Sequence, residues 1–299
     1  MSAWPELLRL PALFTVPGDS LAGAAATGAP PNSRTLLAIG SSLCLYEAGM
    51  VLNDWADREE DARERPHRPL PSGRVGPATA LTAACALTGA ALALAARAGR
   101  PALAVAAPLA ATVWAYDLTL KHTPAGPAAM AAARALDLLL GAAATTGHTG
   151  AAFPSAALLG THTLAVTAVS RRETTGGAPL APLAALAATG VLTRLVTRPP
   201  ARPPAGRRDA AARGLSGAGA SAVRTALTAA YAATVARPYF HAALNPSPPL
   251  TQRAVTGGIR ATIPLQAALT ARSGAAPTGL LIAALTPLAR RFAKKVSIT

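Results

Sequence analysis

The sequence predicts an all-α protein, a polytopic membrane helical bundle of nine or ten transmembrane helices. Three observations carry that prediction. Charged residues make up only 14% of the chain and mean hydropathy is +0.33, whereas a soluble domain carries about 25% charge. Apolar residues fall in long blocks, among them 76–96, 101–116, 125–147 and 151–170. Such lengths cross a hydrocarbon core of roughly 30 Å. Alternating ten-residue strand patterns are absent, so helices rather than a closed barrel are expected to satisfy the backbone in lipid.

Alanine is the competing consideration. Blocks such as APLAALAATG at 181–190 are weakly hydrophobic, and an Ala-rich soluble bundle would read similarly. Its helices would need polar stripes at helical period, and block 101–116 has none. Small residues also suit close helix packing in a membrane. The spans expected are 10–28, 34–53, 76–97, 100–117, 125–147, 151–170, 178–197, 218–240, 252–271 and 275–292. Pro264 and Pro287 interrupt the last two, hence nine or ten. One domain covers 1–299, and the Pro/Arg/Gly stretch 198–216 is a connector.

The net charge of +15 is almost all arginine, with lysine confined to 121, 294 and 295. The arginines gather in loops and at helix ends, which suits anionic lipid head groups or an anionic substrate better than nucleic acid. Cys44 and Cys85 lie in apolar blocks, so disulfide or metal roles are not expected. The opening MSAWPELLRL has no basic n-region or small-residue cleavage site, so no removable signal peptide is expected.

Against this oily background, six of the thirteen acidic residues crowd into 54–64. On one helix from Asn53, residues 54, 57, 60, 61 and 64 fall on an arc of roughly 120°, and Pro66 ends the helix. Carboxylates so placed repel unless a cation sits among them, and oxygen-only donors favour Mg²⁺ or Mn²⁺. The nearby arginines supply charge-assisted contacts that a diphosphate also needs. The plainer alternative is a solvated helix end with i,i+4 pairs, Glu59 with Arg63 and Glu64 with Arg68. That alternative explains poorly why Asn53 and Asp54 begin at the membrane boundary, where unpaired charge is costly.

The links 54–75, 118–124 and 171–177 fall on one side of the bundle and carry the acid cluster, Lys121 with His122, and Arg171-Arg172-Glu173. Their charge places this face in the cytoplasm. The basic 198–216 link opposes that orientation. The expected location is a bacterial cytoplasmic membrane with the active face cytoplasmic.

The pattern N53-D54-x-x-D57-x-x-x-D61 with RPHRPLPSG at 65–73 resembles the first aspartate-rich motif of UbiA-type intramembrane prenyltransferases, in spacing, flanking Pro/Arg residues and position after the second span. Tyr116 and Lys121 resemble that family's Tyr…Lys element. The stretch from Tyr116 to Gly141 and PLQAAL at 264–269 resemble the EboC-like branch. The resemblance implies an enzyme with Mg²⁺ as cofactor, transferring a prenyl group from a prenyl diphosphate to a small-molecule acceptor, aromatic or otherwise polar. Its metal ligands would be Asn53, Asp54, Asp57, Asp61 and Glu173. Arg65, Arg68, Tyr116, Arg134, Arg171 and Arg172 would bind substrate. Asp54, Asp57, Lys121 and Glu47 would carry the chemistry.

The family's second acidic motif, DxxxD, is replaced here by SRRETTGG at 170–177, with Glu173 its single acid. Glu173 completes the metal shell, or Arg171 and Arg172 hold the diphosphate directly. Glu47 lies seven residues before Asp54, on the same helix face, as acceptor-binding group, proton acceptor or ion-pair partner of a neighbouring arginine. Asp19 has similar standing. Arg134 and Asp137 either neutralise each other or present Arg134 to the pocket. Asp117 reads as a solvated end, and Trp55, Trp114 and Tyr116 as interface aromatics suited also to an allylic cation. Two other classes compete: a CDP-alcohol phosphotransferase, whose DG dipeptide is missing, and a non-catalytic prenyl-lipid carrier.

Overall fold

Alanine and leucine, the strongest helix formers, dominate the apolar blocks, and the blocks fold as helices. The computed structural model describes residues 3–7, 14–174, 176, 178–198 and 217–296, and among these residues it is helical without strands. The helices are α1 (Trp4–Leu7), α2 (Val16–Ala26), α3 (Ser33–Ala56), α4 (Arg58–Glu64), α5 (Pro77–Ala98) and α6 (Arg100–Ala115). They continue as α7 (Gly126–Thr146), α8 (Phe153–Ser170), α9 (Leu180–Thr197), α10 (Gly217–Leu244), α11 (Pro248–Arg272) and α12 (Ala276–Val296). The link expected at 198–216 lies almost wholly outside the described residues.

Starts and stops are written locally. Proline occupies the first turn of α5, α6, α7, α8 and α11, where its missing N–H costs nothing. Asn32 and Thr35 form a reciprocal capping box at the start of α3. Among the described residues, six helical segments are long and apolar enough to cross a membrane: Ser33–Ala56, Pro77–Ala98, Arg100–Leu120, Gly126–Thr146, Gly150–Ser170 and Leu180–Thr197. The prolines expected to interrupt the last spans do not do so, since α11 runs through Pro264 and α12 through Pro287.

Helices adjacent in sequence pack side by side, while α2 and α11 sit centrally. Helix α2 touches α3, α7, α8, α11 and α12, and α11 is buried without a break from Ala261 to Ala271. Small residues make the central crossing possible. A Cβ on Gly141 would overlap the Ser20 backbone, and one on Gly23 would overlap the Leu138 carbonyl. Gly141→Val should therefore destabilise the bundle by about 1–3 kcal/mol or more through overpacking. Gly89→Ala, with open space around its Cβ, should be neutral or slightly stabilising. Thermal unfolding in detergent compares them, and an equal melting temperature for both variants would refute the tight α2–α7 crossing.

Candidate active site at the charged end of the bundle

Helix α3 delivers the acid motif, but not on one continuous helix. It ends at Ala56, Asp57 breaks the backbone at φ −87°, ψ 4°, and α4 restarts at Arg58. The expected five-carboxylate stripe is thereby divided. Asp54 and Asp61 are buried, Asp57 is partly buried, and Glu60 and Glu64 face solvent.

Basic residues fill the space between these carboxylates. Arg68 Nη1 lies 2.6 Å from Asp61 Oδ2 and 3.5 Å from Asp54 Oδ1. Arg65 lies 3.6 Å from Asp61, and its other contact is Glu64 at 3.6 Å. The i,i+4 pairing of Glu64 with Arg68 does not form, because Arg68 turns inward to the aspartates. Arg63 donates to the Glu59 carbonyl at 3.3 Å instead of pairing through its carboxylate.

The other side of the mouth comes from the end of α6. There the helix widens into a π-turn over Tyr116–Leu120, closed by Lys121 N–H donating to the Tyr116 carbonyl. Such turns are rare and concentrate at functional sites. The extra residue turns Asp117 inward, where it accepts from Asn53 Nδ2 at 3.1 Å. Lys121 Nζ then lies 2.5 Å from Asp57 Oδ1 as an ion pair. It does so without hydrogen-bond geometry. Arg171 donates to the Thr123 carbonyl, so the three charged links converge at one end of the bundle.

The remaining predicted residues are less closely gathered. Arg171 and Arg172 are exposed on the rim. Glu173 is partly buried, and burial pushes its carboxyl up from the usual range. Glu47 is buried with both carboxylate oxygens unpartnered and does not line the cavity. Of the three aromatics, Tyr116 lines the cavity, while Trp114 donates to Thr88 at 3.1 Å and Trp55 stacks under Arg58.

Oxygen donors from Asn53, Asp54, Asp57 and Asp61 match the hard-cation preference of Mg²⁺. Asp54 and Asp61 already converge on one cationic nitrogen, so the arrangement fits a small cation among them. One group on the outer edge departs from the oxygen-only set: Asp57, Glu60 and His122 bring one ligand atom each within 4.8 Å of one another.

Behind the mouth lies a cavity of about 460 Å³. Asn53, Tyr116 and Asp117 line its entrance, and Leu45, Leu109, Val113, Val166 and Ile259 its apolar waist. Ser42, Arg134 and Asp137 line its floor. Ser42 is eleven residues below Asn53 on α3, roughly 16 Å along the axis. Arg134 Nη1 lies 3.0 Å from Asp19 Oδ2, and Gln266 Nε2 donates to Asp19 Oδ1 at 2.6 Å and the Thr15 carbonyl at 2.7 Å. Ser42 donates to Asp137. His162 also reaches the cavity, but its ring nitrogens are engaged by Gly258 at 3.0 Å and Tyr231 at 3.2 Å. Asp117, which the sequence reads as a solvated end, and Ser42, which it does not single out, are the additions made by the structure.

Comparison with known proteins agrees with this architecture. A UbiA homolog from Aeropyrum pernix superposes with TM-score 0.62 at 17% identity, over 84% of this chain and 96% of that one. A UbiA homolog from Archaeoglobus fulgidus bound to GPP and Mg²⁺ superposes with TM-score 0.60 at 17% identity, over 91% of this chain and all of that one, 100%. At those identities the likeness establishes the fold. Among curated proteins, the digeranylgeranylglyceryl phosphate synthase of Methanopyrus kandleri is 35% identical over 129 residues, 42% of this chain and 46% of its own length. That of Ignicoccus hospitalis is 34% identical over 151 residues, 50% of each chain. The chain thus spans about half the length of these curated relatives. The model of the UbiA prenyltransferase family matches residues 12–175, which hold the whole charged mouth and the α3, α6, α7 and α8 walls of the cavity, and the chain belongs to that family.

Proposed function

We propose that this protein is a magnesium-dependent prenyltransferase that moves a prenyl group from an allylic diphosphate to a small polar acceptor. The observation that carries the reading is the joint placement of an oxygen-rich acid cluster and a basic rim over one apolar cavity. Solved relatives bound to GPP or DMAPP with Mg²⁺ support it. The nine long helices among the described residues, α3 and α5 to α12, would lie in the membrane, with the charged mouth facing the cytoplasm, as the charge of its links favours.

Asn53, Asp54, Asp57 and Asp61 would hold Mg²⁺, which makes diphosphate a better leaving group. Arg65, Arg68 and Lys121 neutralise the remaining charge on the departing diphosphate. Because these cations already pair with Asp61, Asp54 and Asp57, diphosphate binding is an exchange of partners within a preformed charge network. The Tyr116 ring flanks the allylic carbon, and the apolar waist excludes water from the developing cation. The acceptor oxygen bonds to that carbon as the carbon–oxygen bond to diphosphate breaks, its electron pair leaving with the diphosphate. Asp117 takes the acceptor's proton, since it lines the cavity beside Asn53 while Glu47 does not.

The test is binding of radiolabelled geranyl diphosphate to purified protein with and without magnesium, followed by turnover against membrane and cytosolic extracts. Binding indifferent to magnesium would refute the reading. Within this scheme Arg171 and Arg172 hold diphosphate oxygens and Glu173 contributes little, because a lone carboxylate beside a diphosphate repels it unless a cation intervenes. The double variant Arg171→Ala, Arg172→Ala should weaken geranyl diphosphate binding about tenfold. Glu173→Ala should change it less than about twofold. Loss of binding in Glu173→Ala, rescued by raised magnesium, would instead make Glu173 a ligand of a second ion.

A further inference from the structure

The cavity is polar at both ends and apolar between them. The mouth is assigned to metal and diphosphate, but a prenyl chain has no use for the floor. Hydrocarbon laid against Arg134 and Asp137 would deprive charged groups of water and give nothing in return. Ionisable groups at this depth are costly and mark function, and these line the cavity instead of being sealed between helices.

The charge count at the floor is definite. One cation, Arg134, pairs with Asp19 and lines the cavity with Asp137, and among the described residues no second cation pairs with either carboxyl. Asp19 is fully buried. It is gripped on one oxygen by Gln266 and paired through the other with Arg134. Asp137 accepts from Ser42 and sits three residues from Arg134 on α7, one helical turn away. With Asp19 held as the ion-pair partner of Arg134, the net charge turns on Asp137. A protonated Asp137 leaves the floor neutral, and an ionised Asp137 leaves it negative. In neither state is it positive.

We propose that the floor seats the far end of the acceptor and selects an uncharged, hydroxyl-bearing group there. This rests on the prenyltransferase reading above and adds the class of acceptor to it. A hydroxyl can donate to Asp137 and accept from Arg134 at once, matching both partners with one atom. A carboxylate or phosphate would bring a second negative charge into a site whose guanidinium is already paired, and its desolvation would go uncompensated. An ammonium group would face Arg134. Asp137, Ser42 and Arg134 touch the acceptor in this arrangement. Asp19 and Gln266 are positioning residues that fix the guanidinium.

The experiment uses the full chain in lipid nanodiscs, radiolabelled geranyl diphosphate, magnesium and extracts of membrane lipid and cytosol. The prenylated product is isolated and its acceptor identified by mass spectrometry. The expected acceptor carries an uncharged hydroxyl group beyond the reacting atom. Asp137→Asn should then raise the KM for that acceptor about tenfold, the effect of one lost charge-assisted hydrogen bond. The Kd for geranyl diphosphate should stay unchanged, which also reports that the variant folds. Ser42→Ala, a milder change, should raise the same KM about threefold. An acceptor whose group beyond the reacting atom is phosphate, carboxylate or ammonium overturns the proposal while leaving the transferase reading intact. So does an acceptor KM unchanged in both variants. Failure to bind geranyl diphosphate with magnesium, with no product from any extract, refutes the transferase reading itself and the proposal with it.

Discussion

Asp54→Ala and Asp57→Ala are expected to abolish magnesium-dependent binding of geranyl diphosphate and to lower prenyl transfer by roughly 100-fold or more. Each substitution removes an oxygen donor from the cluster that would hold the ion. Each also removes a negative charge beside a cation, Arg68 next to Asp54 and Lys121 next to Asp57, so electrostatic attraction for the diphosphate alone should not fall. The loss must therefore appear as a loss of magnesium response, not as a uniform weakening. Glu59→Ala is the control. Its side chain is 83% exposed and pairs with the neighbouring Arg58 at 3.5 Å, and an exposed pair of that kind contributes little. Titrations of magnesium at fixed geranyl diphosphate separate the three variants. Equal magnesium curves for all three would remove the acid cluster from the metal site.

How far the sequence reached depends on how local the cause was. The helical spans were legible because composition and block length are properties of one segment, and the 34–53, 76–97 and 125–147 spans match α3, α5 and α7 within three residues at each end. The aspartate motif was legible because its residues are consecutive turns of chain. The break at Asp57 was not. Nothing in NDWADREED forbids a continuous helix, and the bend accompanies the reach of Arg68 back to Asp54 and Asp61. Glu47 misled by a sound argument: seven residues do put it on the face of Asp54, but that face lies to one side of the cavity-lining stripe of Ser42, Leu45, Gly49 and Asn53. Asp117 needed the π-turn, which shifts register by one residue and has no composition signal of its own. The floor was visible as scattered polar residues, with Asp19 and Arg134 separated by 115 positions and Asp19 and Gln266 by 247. Only the crossing of α2 with α7 and α11 makes them one group.

That floor yields the other large effect. Arg134→Met should destabilise the bundle by about 3–5 kcal/mol, because it strands Asp19 in a fully buried position without its cation. The double variant Arg134→Met, Asp19→Leu removes both charges and should recover most of that loss, since a buried ion pair replaced by apolar side chains of similar size is often neutral. Thermal or denaturant unfolding of the reconstituted protein reads both values. A single variant as stable as the parent would show that the Arg134–Asp19 pair carries no structural weight. The comparison also divides structure from function. If Arg134 served only to hold α7 against α2, the double variant would regain acceptor affinity along with stability. If the guanidinium also touches the acceptor, stability returns while the acceptor KM stays raised, because the donor it offered to the cavity is gone.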